Sequence, residues 1–285
     1  MFISRLISCI VLLAILLCAF LIKGTFGIVV IFICGVFLSI FAVNEFSRLV
    51  KNIDIKVYTG MTATAAVLIF LGLMFSFIFS WNIDIALLIL GLFAIYCWVK
   101  VLLSKENKES LTTAAASAGI LLMIVVPLNC VTVVYLKGYY GSYIGVNLIL
   151  LLILATKSGD IGAYCFGTIM SKRASGNHKI VPTISPKKSW EGAIGGMVLS
   201  IIVTCVLIEL LDLGVHINIF VGILLGILLF WGGFFGDLSE SALKRITGIK
   251  DSGAIIPGIG GVLDLIDSLL LNAPLFYLFI KVLDI

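Results

Sequence analysis

Nine apolar runs, each of roughly twenty residues, divide this chain, and a run of that length leaves few folds open to it. They fall at about 6–22, 25–43, 59–81, 85–103, 112–136, 142–170, 190–211, 215–235 and 254–283. In hydrocarbon every backbone N–H and C=O must be bonded inside the segment, so such a run crosses a bilayer as a helix. A soluble core does not need blocks this long, and a chain that is 61% hydrophobic and only 12% charged has little else to offer water. The expected fold is all-α, a polytopic integral membrane protein of about nine transmembrane helices. The first run follows Arg5 and is long for a secretory leader, with no small-x-small cleavage pattern, so it is expected to be a retained span. Lys157-Ser-Gly-Asp160 interrupts the sixth run, and Pro257 to Asp267 the ninth, so one or two of the helices are expected to be broken.

The basic residues give an independent test of this count. With the segment before the first run numbered zero, fifteen lysines and arginines fall in even-numbered connections and three in odd ones, while Lys157 lies inside a run. Such alternation is the positive-inside pattern, and it implies a cytoplasmic N-terminus and, with nine spans, an external C-terminus. The seven cysteines, Cys9, Cys18, Cys34, Cys97, Cys130, Cys165 and Cys205, show no metal-ligand spacing. All sit in or beside apolar runs and read as buried, reduced thiols.

The two halves differ. Residues 1–136 are plain hydrophobic helix with short polar links, a scaffold of about five helices. Residues 137–285 carry two long basic loops and carboxylates at membrane depth, as expected of a working domain of about four helices. Intramembrane acids are costly unless compensated, so Asp160, Asp237, Asp264 and Asp267 are candidates for a functional site. Asp264 and Asp267 stand three apart, one helical turn, on one face. Two like charges there need a bound cation, a basic partner or protonation. Glu209 and Asp212, at the end of the seventh run, are read as interfacial.

A hard divalent cation with a phosphate substrate is the simplest compensation, because Mg²⁺ favours a few carboxylates plus phosphate oxygens. Zinc is disfavoured: the two histidines, His178 and His216, lie on connections expected on opposite sides. Lys187 and Lys188 in one basic loop, and Lys244, Arg245 and Lys250 in the next, suit phosphate binding. The bland alternative is the positive-inside bias itself, or anionic lipid. Gly222-x₃-Gly226 and Gly232-x₃-Gly236 have ordinary helix-packing spacing. Gly258, Gly260 and Gly261 around Pro257 suggest instead an opened backbone whose N–H groups could face a phosphate.

The run from Ser241 through Lys244-Arg245, Lys250-Asp251, Gly253, Ile256-Pro257-Gly258 and Gly260-Gly261 to Asp264 and Asp267 resembles the signature of the phosphatidate cytidylyltransferases, or CDP-diacylglycerol synthases. Ser185-Pro186-Lys187-Lys188-Ser189-Trp190-Glu191-Gly192 and Asp160-x-Gly162-Ala163-Tyr164 are similar to that family as well, and the likeness covers roughly 150–275. It implies transfer of the cytidylyl group of CTP to phosphatidate, with Asp237, Asp264 and Asp267 holding Mg²⁺ and room for a second metal ion. Lys244 and Arg245 would join the catalytic set. Lys187, Lys188, Ser185, Ser189, Ser241, Lys250, Gly260 and Gly261 would receive phosphates, supported by Asp160, Glu191 and Asp251. The implied partners are CTP, phosphatidate and membrane lipids, with no nucleic acid; the Gly-rich spans admit a homodimer. A bacterial-type inner membrane is the implied setting, with the basic loops on the cytoplasmic side. Two positions depart from the signature: Ile259 where the family has His, and Leu265 where it has Arg. They make an impaired variant one reading of the chain, beside a cation-coupled transporter and a non-catalytic relative that binds lipid or nucleotide.

Overall fold

A computed structural model describes residues 25–80, 84–104, 107–137, 144–172, 176–214, 217–249, 252–253 and 260–285. Its helices are α1 (Thr25–Lys51), α2 (Thr59–Ile78), α3 (Ile85–Leu103), α4 (Asn107–Ile120), α5 (Val126–Tyr135), α6 (Ile144–Ser171), α7 (Trp190–Leu210), α8 (Ile219–Ile246) and α9 (Val262–Val282). Among the described residues eight segments are long and apolar enough to cross a membrane, α4 and α5 forming one of them. They coincide with the second to ninth runs of the sequence; the first run lies outside the described residues. Large apolar side chains such as Leu102, Leu103 and Phe220 stand exposed, as lipid-facing residues do.

Local chemistry explains where several helices begin and end. Asp84 caps α3 by accepting from the Leu87 N–H at 3.0 Å. Ser189 caps α7, with Glu191 in its first turn, and Lys244 and Arg245 stand in the last turn of α8, each suited to the helix dipole. Between α4 and α5 the helix widens into a π turn, Leu121–Val125. Pro127 follows directly; in a regular α-helix its ring would meet the Met123 carbonyl, and the wider turn relieves that clash.

The chain divides into two compact units, Met1–Thr132 with Ile246–Leu265, and Val133–Arg245 with Ile266–Ile285. In the first, Gly35 on α1 leaves space for the buried Phe70 ring of α2. The Tyr58 N–H, before α2, donates to Ser117 Oγ of α4 at 3.0 Å.

In the second unit, glycines set the packing. A Cβ at Gly162 of α6 would stand 3.0 Å from the Gly196 Cα of α7, and one at Gly226 of α8 would stand 2.7 Å from the Ile201 Cα. Gly232 and Gly236 of α8 face Asn272 and the Asp267 carbonyl of α9. The Asn272 amide, wholly buried, donates to Thr156 Oγ1 at 2.8 Å and to the Leu229 carbonyl at 2.7 Å. These glycine faces are occupied by the chain's own helices, so they carry no argument for a second copy.

Three expectations need correction. α6 runs unbroken through Lys157–Asp160, because Lys157 Nζ reaches Asp160 Oδ2 at 3.5 Å on its own helix and Ser268 Oγ of α9 at 2.8 Å. α9 is helical from Val262, so the part of the ninth run holding Asp264 and Asp267 is also continuous. Of the described cysteines only Cys97 is buried; Cys165 is exposed and Cys34, Cys130 and Cys205 are half-buried, all as free thiols.

Candidate functional site

In the second unit, Asp237, Glu240, Ser241 and Lys244 follow one another on α8 at spacings of three, one and three, which puts them on one face. Asp267 of α9 joins them. One carboxylate oxygen from each of Asp237, Glu240 and Asp267 lies within 4.8 Å of the others. The Ser268 backbone N–H donates to Asp267 Oδ1.

Ammonium groups surround this triad. Lys188 Nζ stands 3.1 Å from Asp237 Oδ2, donates to the Phe234 carbonyl at 2.7 Å and lies 4.0 Å from the centre of the Phe234 ring. Lys244 Nζ is 2.9 Å from Glu240 Oε1. Lys157 bonds the hydroxyl of Ser268, the residue after Asp267, and pairs with Asp160. Of these side chains only Glu240 is buried, and it has Lys244 as its cation; the others are half-buried. Four acids and three lysines of the second unit are thus held in this set of pairs on α6, α8, α9 and the loop before α7.

The loop before α7 places Lys188. The backbone pairs Lys179 with Ser189 as an antiparallel bridge; the Ile180 N–H donates to the Lys188 carbonyl at 3.2 Å and the Trp190 N–H to the His178 carbonyl at 2.9 Å. Within the turn, the Lys188 N–H donates to the Ser185 carbonyl at 3.2 Å. His178 Nδ1 sits 2.6 Å from Glu191 Oε1, so Glu191 ties the loop to α7. Ser189 is buried, and its hydroxyl accepts from the Gly192 N–H at 3.2 Å. Lys187 is exposed, and the exposed Arg245 donates from Nε to the Ile184 carbonyl at 3.2 Å.

In the first unit Asp264 has other partners. Its Oδ2 accepts from Ser252 Oγ and from the Gly261 N–H, each at 2.7 Å. Glu45 of α1 accepts from the next two amides, Val262 at 2.9 Å and Leu263 at 2.8 Å. Asp264, the third residue of α9, reaches back to the residue before the helix as in a capping box, while Glu45 supplies the carboxylate that a local N-cap residue would otherwise provide. Gly260 has φ +128°, a conformation that favours glycine, and a Cβ there would stand 2.6 Å from Asp264 Oδ2.

The structure therefore gathers Asp237, Asp267, Lys244, Lys188 and Asp160 in one unit, and Asp264, Gly260 and Gly261 in the other. Lys250, Asp251, Pro257, Gly258, Ile259 and His216 lie outside the described residues. Leu265 is half-buried in the first turn of α9. Glu240, Lys157 and Glu45 were not anticipated. Glu240 is within reach of the sequence, standing three after Asp237, whereas Lys157 shows there only as an interruption of an apolar run. Glu45 had one signal, an acid within an apolar run, and its partners are backbone amides 217 and 218 residues away.

The triad suits a hard cation. It offers only carboxylate oxygens, with no thiol or imidazole, the donor set of Mg²⁺ or Ca²⁺ rather than zinc.

Among the described residues, eight apolar helices of membrane length, with acids and lysines gathered in the second unit, define a polytopic membrane protein, and the chain belongs to the cytidylyltransferase family, whose profile matches residues 3–283. It is 44% identical over 131 residues to the phosphatidate cytidylyltransferase of Staphylococcus haemolyticus, 46% of this chain and 48% of that protein. The phosphatidate cytidylyltransferase of Staphylococcus aureus (strain COL) gives the same figures, 44% over 131 residues, 46% of this chain and 48% of that protein. An uncharacterized protein of Escherichia coli K12, YnbB, is 41% identical over 137 residues, 48% of this chain and 43% of that protein. The chain spans about half the length of the curated relatives it matches.

Proposed function

We propose that this protein transfers the cytidylyl group of CTP to phosphatidate, releasing pyrophosphate and leaving CDP-diacylglycerol in the membrane. The observation that carries the reading is the triad Asp237, Glu240 and Asp267 ringed by Lys188, Lys244 and Lys157, in a chain of the cytidylyltransferase family. In the reaction, a phosphate oxygen of phosphatidate forms a bond to the α-phosphorus of CTP. The bond from that phosphorus to the oxygen bridging to the β-phosphorus breaks, and pyrophosphate carries the electron pair away. Such transfer depends on positioning and charge neutralisation more than on a covalent nucleophile.

Asp237, Glu240 and Asp267 would hold Mg²⁺, which when bound draws phosphate oxygens together and offsets their charge. Lys188 and Lys244 stand on the rim of the triad and meet phosphate oxygens. Lys187 and Arg245, both exposed, extend that positive rim, Arg245 with a fork suited to two oxygens of one phosphate. Ser185, Ser189 and Ser241 shape the loop and helix that carry these groups. Asp264 holds the start of α9, and Lys250 and Asp251 belong to the same signature. Residues 1–136 serve as scaffold and 137–285 as the working domain. The basic loops face the cytoplasm, where CTP is, of an inner membrane of bacterial type, with the N-terminus on the same side and the C-terminus outside.

The test is conversion of phosphatidate in detergent with CTP, with and without Mg²⁺, alongside the Ile259→His/Leu265→Arg double variant. Mg²⁺-dependent release of pyrophosphate is the expected outcome. Activity in the double variant alone would mark the chain as an impaired synthase. Silence in both folded proteins would overturn the reading in favour of transport or of binding without catalysis.

A further inference from the structure

Glu45 belongs to no motif in this chain, yet it is the most deeply buried carboxylate among the described residues, with 1% of its surface exposed. A charge so placed is costly unless fully engaged. It is engaged by the first two amides of α9: Oε1 takes the Val262 N–H and Oε2 the Leu263 N–H. Asp264 takes the amide before them, that of Gly261. Three successive N–H groups at the positive end of the helix dipole are thus met by two carboxylates from different parts of the chain. The surroundings are shaped for this contact. A Cβ at Gly253 or at Gly261 would run into the Glu45 carboxylate, and Ser252 closes the far side through Asp264.

We infer that Glu45 is a positioning residue for the carboxylates of α9. With its two oxygens on the two amides, α9 can begin at one residue only, and that start fixes the direction in which Asp264, and Asp267 nearly one turn on, leave the helix. Loss of Glu45 leaves two buried amides without acceptors, so the first turn unwinds to find others. This role rests on the proposed cytidylyl transfer for its consequence in the reaction, but the capping contact stands by itself.

The experiment pairs hydrogen exchange of residues 260–268 with Mg²⁺ titration of activity, in wild type, Glu45→Ala, Glu45→Gln and Gly253→Ala. In Glu45→Ala, exchange at Val262 and Leu263 should rise about tenfold or more, the Mg²⁺ needed for half-maximal activity should rise about tenfold, and kcat should fall. Glu45→Gln keeps one acceptor oxygen and should lie between the two. Gly253→Ala should shift the same readings in the same direction, and it carries the test with Glu45→Gln if Glu45→Ala does not fold. Unchanged exchange in the folded variants overturns the inference, as does faster exchange with an unshifted Mg²⁺ requirement, which would make Glu45 a matter of stability alone. If wild type transfers no cytidylyl group, the proposed reaction falls, while the exchange measurement still decides for or against the cap.

Discussion

The two carboxylate groups of this protein solve one electrostatic problem in opposite ways. Glu45 and Asp264, in the first unit, are held by backbone N–H groups and a hydroxyl, donors that cannot leave. Asp237 and Glu240, in the second, are paired with the ammonium groups of Lys188 and Lys244, and Asp267 stands beside them. An amide is fixed by the helix it starts, whereas a lysine on a four-carbon stem can turn to another partner. The difference separates a carboxylate used to build from one kept available for exchange. It also separates Asp264 from Asp267, which sequence spacing alone treats as a pair.

The largest effect should come from breaking the exchangeable set. Asp267→Asn should lower cytidylyl transfer about 10³-fold, since a metal clamp is worth several kcal/mol and each 1.4 kcal/mol is a factor of ten. The folded protein should remain, as judged by its melting transition in detergent; a variant within threefold of wild type would remove Asp267 from the site. Lys188→Gln should be next, raising the KM for CTP roughly 10–100-fold, because it deletes a phosphate partner and leaves Asp237 without its cation. A change in kcat with KM untouched would contradict the role given to Lys188. Asp264→Asn should be mildest, about tenfold or less, because an amide oxygen can still accept from the Gly261 N–H, as Asn does at helix caps. Loss as deep as that of Asp267→Asn would erase the comparison and place both aspartates on the metal.

Much of this architecture was legible because a membrane span is a property of composition. Eight of the nine runs reappear as helices, most ends within four residues and three of them off by eight to eleven. The sequence misled where polarity was equated with a break. Lys157 and Asp160 interrupt the apolar pattern of α6 without interrupting its hydrogen bonds, since each side chain finds a partner and the helix need not open. The π turn at Leu121–Val125 left no trace in hydropathy, because it is a change of ladder spacing within an apolar run; Pro127 was its one local cue. At the site, Asp237, Asp267, Lys188 and Lys244 were readable as charges out of place. Glu240 was hidden by lying among polar residues at the end of α8, where an acid is unremarked. Glu45 was hidden for a deeper reason: its ligands are main-chain amides, identical at every position, and only the fold says which two it will meet.

That last contact bears on how the protein is made. Glu45 leaves the ribosome well before its partners: the amide of Val262 follows 217 residues later. At about 5–20 residues per second the interval is roughly 10–40 s. For all that time the membrane holds α1 with a carboxylate whose partners do not yet exist. The first unit cannot close until residue 263 has been synthesised, so its assembly waits on a segment more than two hundred residues downstream of α1. A pause or truncation before that point would leave Glu45 exposed to whatever the insertion machinery or quality control uses to recognise an unfinished membrane protein.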